Sequence, residues 1–356
     1  MRPFFSIIMP CCDVEPYIGE AMNSVMKQSF GNWECICGIE DSKDRTEPTL
    51  RELAASEPRI WIFNHPRSGL CSATCNIGID MAQGEYVIFL DGDDTIAEES
   101  LARIHDKITA RPGADLYPCV IVAYKEGSDE REIRENYPPE LSPTEMTGPE
   151  SIVFFGKNRI TPCPMLHLTV FRREFLKEHN LKCIYGLRRQ DSEFSPRALY
   201  LARRVVPLHE PFYLYRLNQS SVSFSARDAG YFHKDWVVIL QSLLSHYVKV
   251  SAEPDFDKRV GTFWQIQWFL LILYFLFASK QIKAIPRPKR LETLNQLFSS
   301  GFESFNALLK SASFSKKVAG WWIRAFVRHP SMCGAGELFF KMYFSLSERK
   351  NSYQVS

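Results

Sequence analysis

The sequence predicts an α/β fold, a mostly parallel mixed sheet flanked by helices, followed by a C-terminal helical region. In the first 125 residues, short and solidly apolar runs alternate with segments of helical period, which is typical of buried parallel strands joined by crossover helices. From about residue 230 onward only helical patterns remain. The apolar runs predict strands at 4–9, 33–39, 59–65, 86–90, 115–124, 167–171 and 211–217.

Helix signals lie between these runs. Pro16 stands where the first helix begins, and apolar residues then follow at helical spacing. The segment GLCSATCNIGIDMAQGEY predicts a helix that ends at Gly84 with a left-handed cap. Residues 126–147, rich in charge, Pro and Ser, are predicted to form a loop or hairpin. The run at 211–217 alternates as an edge or antiparallel strand does.

Length and charge divide the chain into two regions. Because 356 residues exceed what one hydrophobic core usually serves, we expect an α/β domain over 1–225 and a helical region over 226–356. The domain comprises halves of about 1–125 and 126–225. A net charge of +2 hides an uneven distribution, since 280–350 holds 13 Lys and Arg against 4 Glu. The front of the chain is therefore acidic and the back is basic.

Several classes of protein are excluded by pattern. The ten cysteines match neither a secretory disulfide framework nor a zinc signature, which favours reduced thiols in the cytoplasm. The apolar run in MRPFFSIIMP is too short for a signal peptide. The longest apolar segment, 264–278, has 15 residues against the roughly 20 that span a bilayer. No nucleic-acid-binding motif accompanies the basic end, so we expect no nucleic-acid partner.

An acidic turn follows the predicted strand at 86–90. Asp91, Asp93 and Asp94 come just past its carboxyl end, which is where ligands bind in open α/β sheets. Crowded carboxylates repel one another unless a cation joins them, and a hard ion such as Mg²⁺ or Mn²⁺ has that preference for oxygen ligands. The alternative is a solvated turn in which Asp94 or Thr95 caps the next helix.

Five blocks of sequence together resemble family 2 glycosyltransferases of GT-A fold, of the kind that builds bacterial envelope, capsule and lipopolysaccharide glycans. The resemblance runs in order from about residue 4 to 223, roughly three-fifths of the chain. Its blocks are 6–46, 69–94, 171–176, 190–194 and 210–223.

The resemblance implies transfer of a sugar from a nucleotide-sugar donor to an acceptor hydroxyl, with inversion at the anomeric carbon. DGDD then corresponds to the D-x-D motif of the family. The resemblance implies that Asp93 binds the metal and that Asp91 binds either the ribose or the shell of the metal. Asp94 is implied to assist these two residues. The implied donor-binding residues are Pro10, Cys12, Asp13, Glu15, Asp41, Asp91 and Gly92.

Asp191 is the candidate general base. It corresponds by resemblance to the aspartate of the E-D motif of the family, with Gln190 where a glutamate commonly stands. Phe194, Ala198 and Leu201 of the following helix are expected to face the core. General base catalysis typically contributes about 10²- to 10⁴-fold in rate. The alternative is that Asp191 caps this helix.

The nucleoside is assigned less directly. Asp41 follows the second strand, and a carboxylate there can accept the imide N–H of uracil, which favours UDP as the carrier. The alternative is that Asp41 forms a turn, with Asp44 as its companion. His167 and Arg216 are further candidates near the acceptor and the diphosphate, each weighed against a structural role.

Departures from the family pattern keep other functions open. Cys12 and Asp13 replace a tyrosine and an asparagine, Thr74–Asn76 lacks an arginine, and the loop at 40–42 is shortened. A GT-A protein that binds nucleotide without turnover is one alternative. A nucleotidyltransferase is another, although the chain lacks its glycine-rich basic loop after the first strand.

The C-terminal region suggests a membrane partner. Its predicted helices carry Lys and Arg on one side and Trp and Phe on the other, as helices in the membrane interface do. Peripheral contact with the inner face of the cytoplasmic membrane would suit a glycan or glycolipid acceptor. The alternative is a helical bundle packed on the α/β domain.

Overall fold

The computed structural model describes residues 2–67, 70–128, 130–158, 160 and 166–217, and isolated positions between 235 and 253. The predicted α/β class is confirmed over these residues. None of the described helices is long and apolar enough to cross a membrane. The predicted C-terminal helices and their membrane-facing aromatic residues lie outside the described residues.

Two compact units divide the chain. One contains Met1–Ser151 and Pro162–Phe224, and the other contains Ile152–Thr161 and Ser225–Ser356. The first holds every strand described below. The domain boundary near residue 225 stays a prediction.

The larger sheet has six strands in the order β3-β2-β1-β4-β9-β6 within the described residues. The first four strands in this order are parallel, whereas β9 runs antiparallel to both of its neighbours. Parallel strands are covered on both faces, which explains why β1 and β2 are buried along their whole length. The strands are β1 (Phe5–Cys11), β2 (Trp33–Glu40), β3 (Ile60–His65), β4 (Tyr86–Phe89), β6 (Leu116–Pro118) and β9 (Thr169–Arg172).

A second sheet has, in the part of the chain that the structure describes, four strands in the order β5-β10-β7-β8. The excursion at 126–147 contains β8, which pairs antiparallel with β7, so the hairpin alternative is confirmed. The strand predicted at 211–217 is an interior strand of this sheet and not an edge strand; it is antiparallel to β5 and parallel to β7. The strands are β5 (Thr95–Ile96), β7 (Val120–Tyr124), β8 (Arg131–Arg134) and β10 (Pro211–Arg216).

Helices join the strands. The first helix begins beside Pro16 as predicted, and Ile18, Ala21, Met22 and Val25 form its buried stripe. The helices are α1 (Glu15–Met26), α2 (Thr46–Ser56), α3 (Leu70–Met81), α4 (Ser100–Ala110), α5 (Gly148–Asn158), α6 (Arg173–Glu178) and α7 (Gln190–Leu201).

The single strand predicted at 115–124 is wrong, because the run changes sheets at Cys119. The amide of Cys119 donates to the carbonyl of Leu168 at 2.6 Å, beside the larger sheet. The amide of Val120 donates instead to the carbonyl of Glu210 at 2.8 Å, beside the second sheet. From Leu116 to Tyr124 the run is apolar since each sheet buries most of its part, so hydrophobicity alone could not reveal the change of sheets.

Gly84 is not a left-handed helix cap, since α3 already ends at Met81 and Gly84 is not among the glycines of positive φ. Close packing requires this glycine instead. A Cβ atom at position 84 would lie 2.6 Å from the backbone nitrogen of Ser6 and 2.8 Å from the carbonyl carbon of Phe5. The Gly84 amide also donates to Ser6 Oγ at 2.8 Å, which ties the start of β4 to β1.

We therefore predict that Gly84→Ala lowers the free energy of unfolding by about 1–3 kcal/mol, because the backbone of β1 cannot yield to the added methyl group. Gly19→Ala is the control, because a Cβ atom at Gly19 in α1 meets no atom within 4 Å. Alanine has a higher helix propensity than glycine, so this control substitution should raise the free energy of unfolding by about 0.5–1 kcal/mol. Urea unfolding measures both changes, and equal effects of the two substitutions would contradict the packing argument.

Candidate active site

The acidic turn is held at the carboxyl edge of the larger sheet. Leu90 continues the ladder after β4 by donating its amide to the carbonyl of Ile8 at 3.0 Å, and Gly92 donates to the carbonyl of Pro10 at 3.2 Å. A Cβ atom at Gly92 would lie only 3.1 Å from the same carbonyl oxygen and from Val14 Cγ2. Pro10 and Gly92, both implied donor-binding residues, thus contact each other and fix where the turn begins.

Three carboxylates converge in this turn. Oxygen atoms of Asp91, Asp93 and Asp94 all lie within 4.8 Å of one another. Burial, and then the negative charge of Asp91, raise the pKa of Asp93 to about 6. Burial, and then the charges of Asp93 and Asp91, raise the pKa of Asp94 well above its usual value. The donor set is made only of hard oxygen ligands, which fits Mg²⁺ or Mn²⁺.

The alternative that this turn caps a helix is wrong. Thr95 begins strand β5, and α4 starts only at Ser100, with Glu99 as the residue before it. Asp94 is 1% exposed and accepts hydrogen bonds from β10. The carboxylates of the turn are therefore not used at a helix terminus.

His167 pairs with the first aspartate of the turn. Its Nε2 atom lies 3.3 Å from Asp91 Oδ2. Burial acts to lower the pKa of His167, but the charge and hydrogen bond of Asp91, together with the charges of Asp191 and Asp94, outweigh it and raise this pKa to about 9. Burial likewise acts to raise the pKa of Asp91, but His167 outweighs it, so this pKa lies below its usual value. The pair is an imidazolium and a carboxylate at neutral pH.

Asp191 lies in the first turn of α7, and the residue at the N-cap is Arg189. Its Oδ1 atom accepts the amide of Ser192 at 2.7 Å and the hydroxyl of Ser192 at 3.3 Å. The charge of Asp191 contributes to the raised pKa of His167, so Asp191 lies within electrostatic range of the acidic turn. Phe194 and Ala198 are buried as predicted.

The neighbouring residue links this helix to α3. Gln190 is 4% exposed, and its Oε1 atom accepts a hydrogen bond from the thiol of Cys71 at 3.2 Å. Leu201, predicted to face the core, is only partly buried at the end of α7.

The loops that follow β1 and β2 are interlocked by carboxylates. Asp13 Oδ1 accepts the amide of Lys43 at 2.8 Å, and Glu15 Oε2 accepts the amide of Arg45 at 3.0 Å. In return, Asp44 Oδ2 accepts the amide of Glu15 at 2.9 Å. Two residues implied to bind the donor, Asp13 and Glu15, therefore use their carboxylates to hold these loops together.

Arg67 and Glu40 flank the thiol of Cys12. Arg67 Nη2 donates to Cys12 Sγ at 3.1 Å and also to Asp13, and Cys12 Sγ lies 3.6 Å from the carbonyl oxygen of Glu40. Burial, and then the charge of Glu40, raise the pKa of Cys12 to about 11, although Arg67 opposes them. The thiol is therefore neutral at ordinary pH.

Glu40, not Asp41, is the buried carboxyl at the end of β2. Asp41 is exposed and has a left-handed backbone with φ of 45°. Glu40 is 3% exposed, and burial raises its pKa to about 7 in spite of the nearby Arg67. Sequence analysis singled out Asp41 and missed Glu40. The available signal was that Glu40 directly ends the apolar run of the strand.

The triplet Thr74–Asn76 is occupied by structural contacts. Thr74 Oγ1 lies 2.7 Å from His65 Nε2. The side-chain amide of Asn76 donates to the carbonyl of Cys183 at 2.9 Å, and its oxygen accepts the Cys183 amide at 2.7 Å. This side of the site therefore presents no arginine from α3, as the sequence indicated, and the guanidinium that contacts Cys12 and Asp13 comes from Arg67.

The sequence of this domain matches a known protein family. Residues 6–179 match the model of glycosyl transferase family 2. This stretch of the chain belongs to that family. The match includes the interlocked loops, the acidic turn and His167, whereas Asp191 and β10 lie beyond its end.

Two similar proteins are glycosyltransferases by name. EpsJ of Bacillus subtilis (strain 168), an uncharacterized glycosyltransferase, is 31% identical over 63% of this chain and 64% of its own length. The GalNAc(5)-diNAcBac-PP-undecaprenol beta-1,3-glucosyltransferase of Campylobacter jejuni is 23% identical over 80% of this chain and 86% of its own length. The chain thus spans less than two thirds of EpsJ.

A solved structure has the same fold. The crystal structure of S. aureus TarS 1–349 with UDP-GlcNAc superposes with a TM-score of 0.69 at 19% identity, covering 97% of this chain and 92% of that one. This likeness confirms the GT-A fold that the resemblance implied.

We predict that Glu40 makes stability depend on pH. Its folded-state pKa of about 7 exceeds the ordinary 4.5, so between these values the folded protein holds a proton that the unfolded chain has lost. The free energy of unfolding should therefore fall as pH rises through this window, by at most about 3 kcal/mol. Glu40→Gln should make the measured fall shallower, while Asp93, Asp94 and His167, whose folded-state pKa values are also raised, keep contributing to it; urea unfolding between about pH 4.5 and 8 measures the difference.

The matched control for this prediction is the exposed Glu98→Gln, which should keep the wild-type dependence on pH. A Glu40→Gln variant whose stability still falls as much as that of wild type would show that another group is responsible.

Proposed function

We propose that this chain is a metal-dependent inverting glycosyltransferase that moves a sugar from a nucleoside diphosphate, with UDP as the carrier, to an acceptor hydroxyl. The observation that carries the proposal is the convergence of Asp91, Asp93 and Asp94 within 4.8 Å at the carboxyl edge of the parallel sheet. Ligands bind at this edge in open α/β folds. Family membership supports sugar transfer as the reaction, and the UDP-GlcNAc bound to TarS supports uridine as the nucleoside.

Asp93 and Asp91 are the proposed ligands of Mn²⁺ or Mg²⁺. A bound divalent ion stabilises the negative charge that develops on a departing diphosphate. Burial and the charge of Asp91 raise the pKa of Asp93 and so disfavour its ionised form. A cation bound beside Asp93 would act in the opposite direction and favour the carboxylate. His167 Nε2 lies 3.3 Å from Asp91 Oδ2 and so holds one oxygen of this proposed ligand.

Glu40 is the proposed partner of the nucleobase. It is the buried carboxyl at the end of β2, whereas Asp41 is exposed. A carboxyl group can accept the imide N–H of uracil. Cys12, where relatives have a tyrosine, then offers a neutral thiol beside the base, and Asp13 and Glu15 position the loops around it.

Asp191 is the proposed general base. The acceptor oxygen forms a bond to the anomeric carbon, the bond from that carbon to the diphosphate oxygen breaks, and the acceptor proton passes to the Asp191 carboxylate. Attack opposite the leaving group inverts the anomeric centre. The hydrogen bonds from Ser192 hold Asp191 Oδ1, and its other oxygen, Oδ2, is proposed to take the proton.

The acceptor is proposed to be a glycan or glycolipid of the cell envelope. The undecaprenol-linked acceptor in the name of the Campylobacter relative supports a lipid-linked glycan. The basic and aromatic residues of 226–356 support contact of this region with a membrane surface that carries such an acceptor.

Asp93→Asn tests the metal site. We predict that wild type binds UDP more tightly with Mn²⁺ than without it. In the variant the ratio of the two affinities should be at least about tenfold smaller, because the cation loses its principal ligand. Calorimetric titration of UDP, with GDP as a comparison, measures the effect. Asp106→Asn, a carboxylate 81% exposed on α4, is the control. Equal binding of UDP with and without Mn²⁺ in wild type would contradict the metal-dependent mechanism.

Asp191→Asn tests the base. The amide has no basic oxygen, so we expect transfer to fall about 10²- to 10⁴-fold while Mn²⁺-dependent UDP binding stays intact. Release of UDP from UDP-sugars in the presence of lipid-linked and polysaccharide acceptors measures transfer. Nucleotide binding by wild type without any transfer or donor hydrolysis would favour the alternative of a catalytically degenerate binding protein.

A further inference from the structure

The third aspartate of the acidic turn is fully engaged by β10. Asp94 Oδ2 accepts the hydroxyl of Tyr213 at 2.7 Å, and Asp94 Oδ1 accepts the backbone amide of Arg216 at 2.7 Å. The residue is 1% exposed. Both oxygens of this carboxylate therefore have protein donors inside the fold.

The same strand also holds the main chain of the turn. The hydroxyl of Tyr213 accepts the backbone amide of Asp91 at 3.2 Å, so one hydroxyl group joins the first and last aspartates. Arg216 Nε donates to the backbone carbonyl of Asp93 at 3.1 Å. Two side chains of β10 thus contact all three acidic residues without using the side-chain oxygens of Asp91 or Asp93.

The guanidinium of Arg216 is itself fixed. Its Nη2 atom lies 2.5 Å from Glu20 on α1, and its Nη1 atom lies 3.4 Å from Glu126 after β7. Its Cζ atom lies 5.0 Å from the centre of the Tyr17 ring and 5.3 Å from that of Tyr124. The Arg216 side chain is only 3% exposed. This arginine is anchored between α1 and the second sheet.

We infer that Tyr213 and Arg216 are positioning residues that hold the carboxylate turn in its binding geometry before any ligand arrives, and that Asp94 is their acceptor and not a ligand of the cation. The inference rests on the proposed metal site at Asp91 and Asp93. Groups behind the ligands of a metal orient those ligands, and their removal typically lowers metal affinity about 10- to 100-fold.

Tyr213→Phe tests this inference with a matched control. Tyr117 has the same chemistry away from the turn, since its buried hydroxyl donates to the carbonyl of Arg111 at 2.7 Å and accepts the amide of Ala114 at 3.0 Å. Both variants lose a hydroxyl that joins two groups. We expect only Tyr213→Phe to speed hydrogen exchange in the peptide 89–96 of the metal-free protein and to weaken Mn²⁺ binding about 10- to 100-fold in calorimetry.

Asp94→Asn and Asp93→Asn separate a positioning group from a ligand. The amide oxygen of Asp94→Asn can still accept the Arg216 amide, and its NH₂ group can donate to the Tyr213 hydroxyl. We therefore expect Mn²⁺ affinity to fall less than about tenfold in Asp94→Asn and further in Asp93→Asn.

Three results would overturn the inference: unchanged exchange in Tyr213→Phe, equal effects of Tyr213→Phe and Tyr117→Phe, or equal loss of Mn²⁺ affinity in Asp94→Asn and Asp93→Asn. Should Tyr213→Phe fail to fold, Arg216→Lys, which loses the Nε donor to Asp93, takes its place in the same measurements. A wild-type protein that binds no Mn²⁺ would refute the proposed metal site, whereas exchange in the metal-free protein still decides the positioning role.

Discussion

Repulsion among three carboxylates in one short turn is the constraint on which the site depends. Asp91, Asp93 and Asp94 lie close together in a partly buried turn, so their ionised forms disfavour one another. The fold relieves two of them. Asp94 is satisfied by donors from β10, and Asp91 is paired with His167. Asp93 has no equivalent side-chain donor among the described hydrogen bonds, which makes it the carboxylate that gains most from a cation.

The second part of the site is the pair of loops that follow β1 and β2. The loops after β1 and β2 exchange hydrogen bonds through Asp13, Glu15 and Asp44, so neither loop can move without breaking bonds to the other. This arrangement leaves Glu40 and Cys12 as the groups whose protonation is set by burial. A rigid frame around a neutral thiol and a titratable carboxyl suits the recognition of a nucleobase edge.

Strand periodicity predicted the larger sheet because parallel strands are buried on both faces, and the acidic turn could be placed because it follows such a strand. The change of sheets at Cys119 was hidden, since both sheets bury the same apolar run. The roles of Tyr213 and Arg216 were hidden for a different reason. They contact Asp91–Asp94, which lie more than a hundred residues away in the sequence. Local sequence patterns do not predict contacts that only the tertiary fold creates.

A crystal structure of the chain with UDP and Mn²⁺ tests the central claim most directly. The account predicts an anomalous manganese peak coordinated by carboxylate oxygens of Asp93 and Asp91 and by the diphosphate, with the uracil beside Glu40 and Asp94 still bonded to Tyr213. A manganese ion coordinated by Asp94 in place of Asp93, or a diphosphate bound away from the acidic turn, would contradict it.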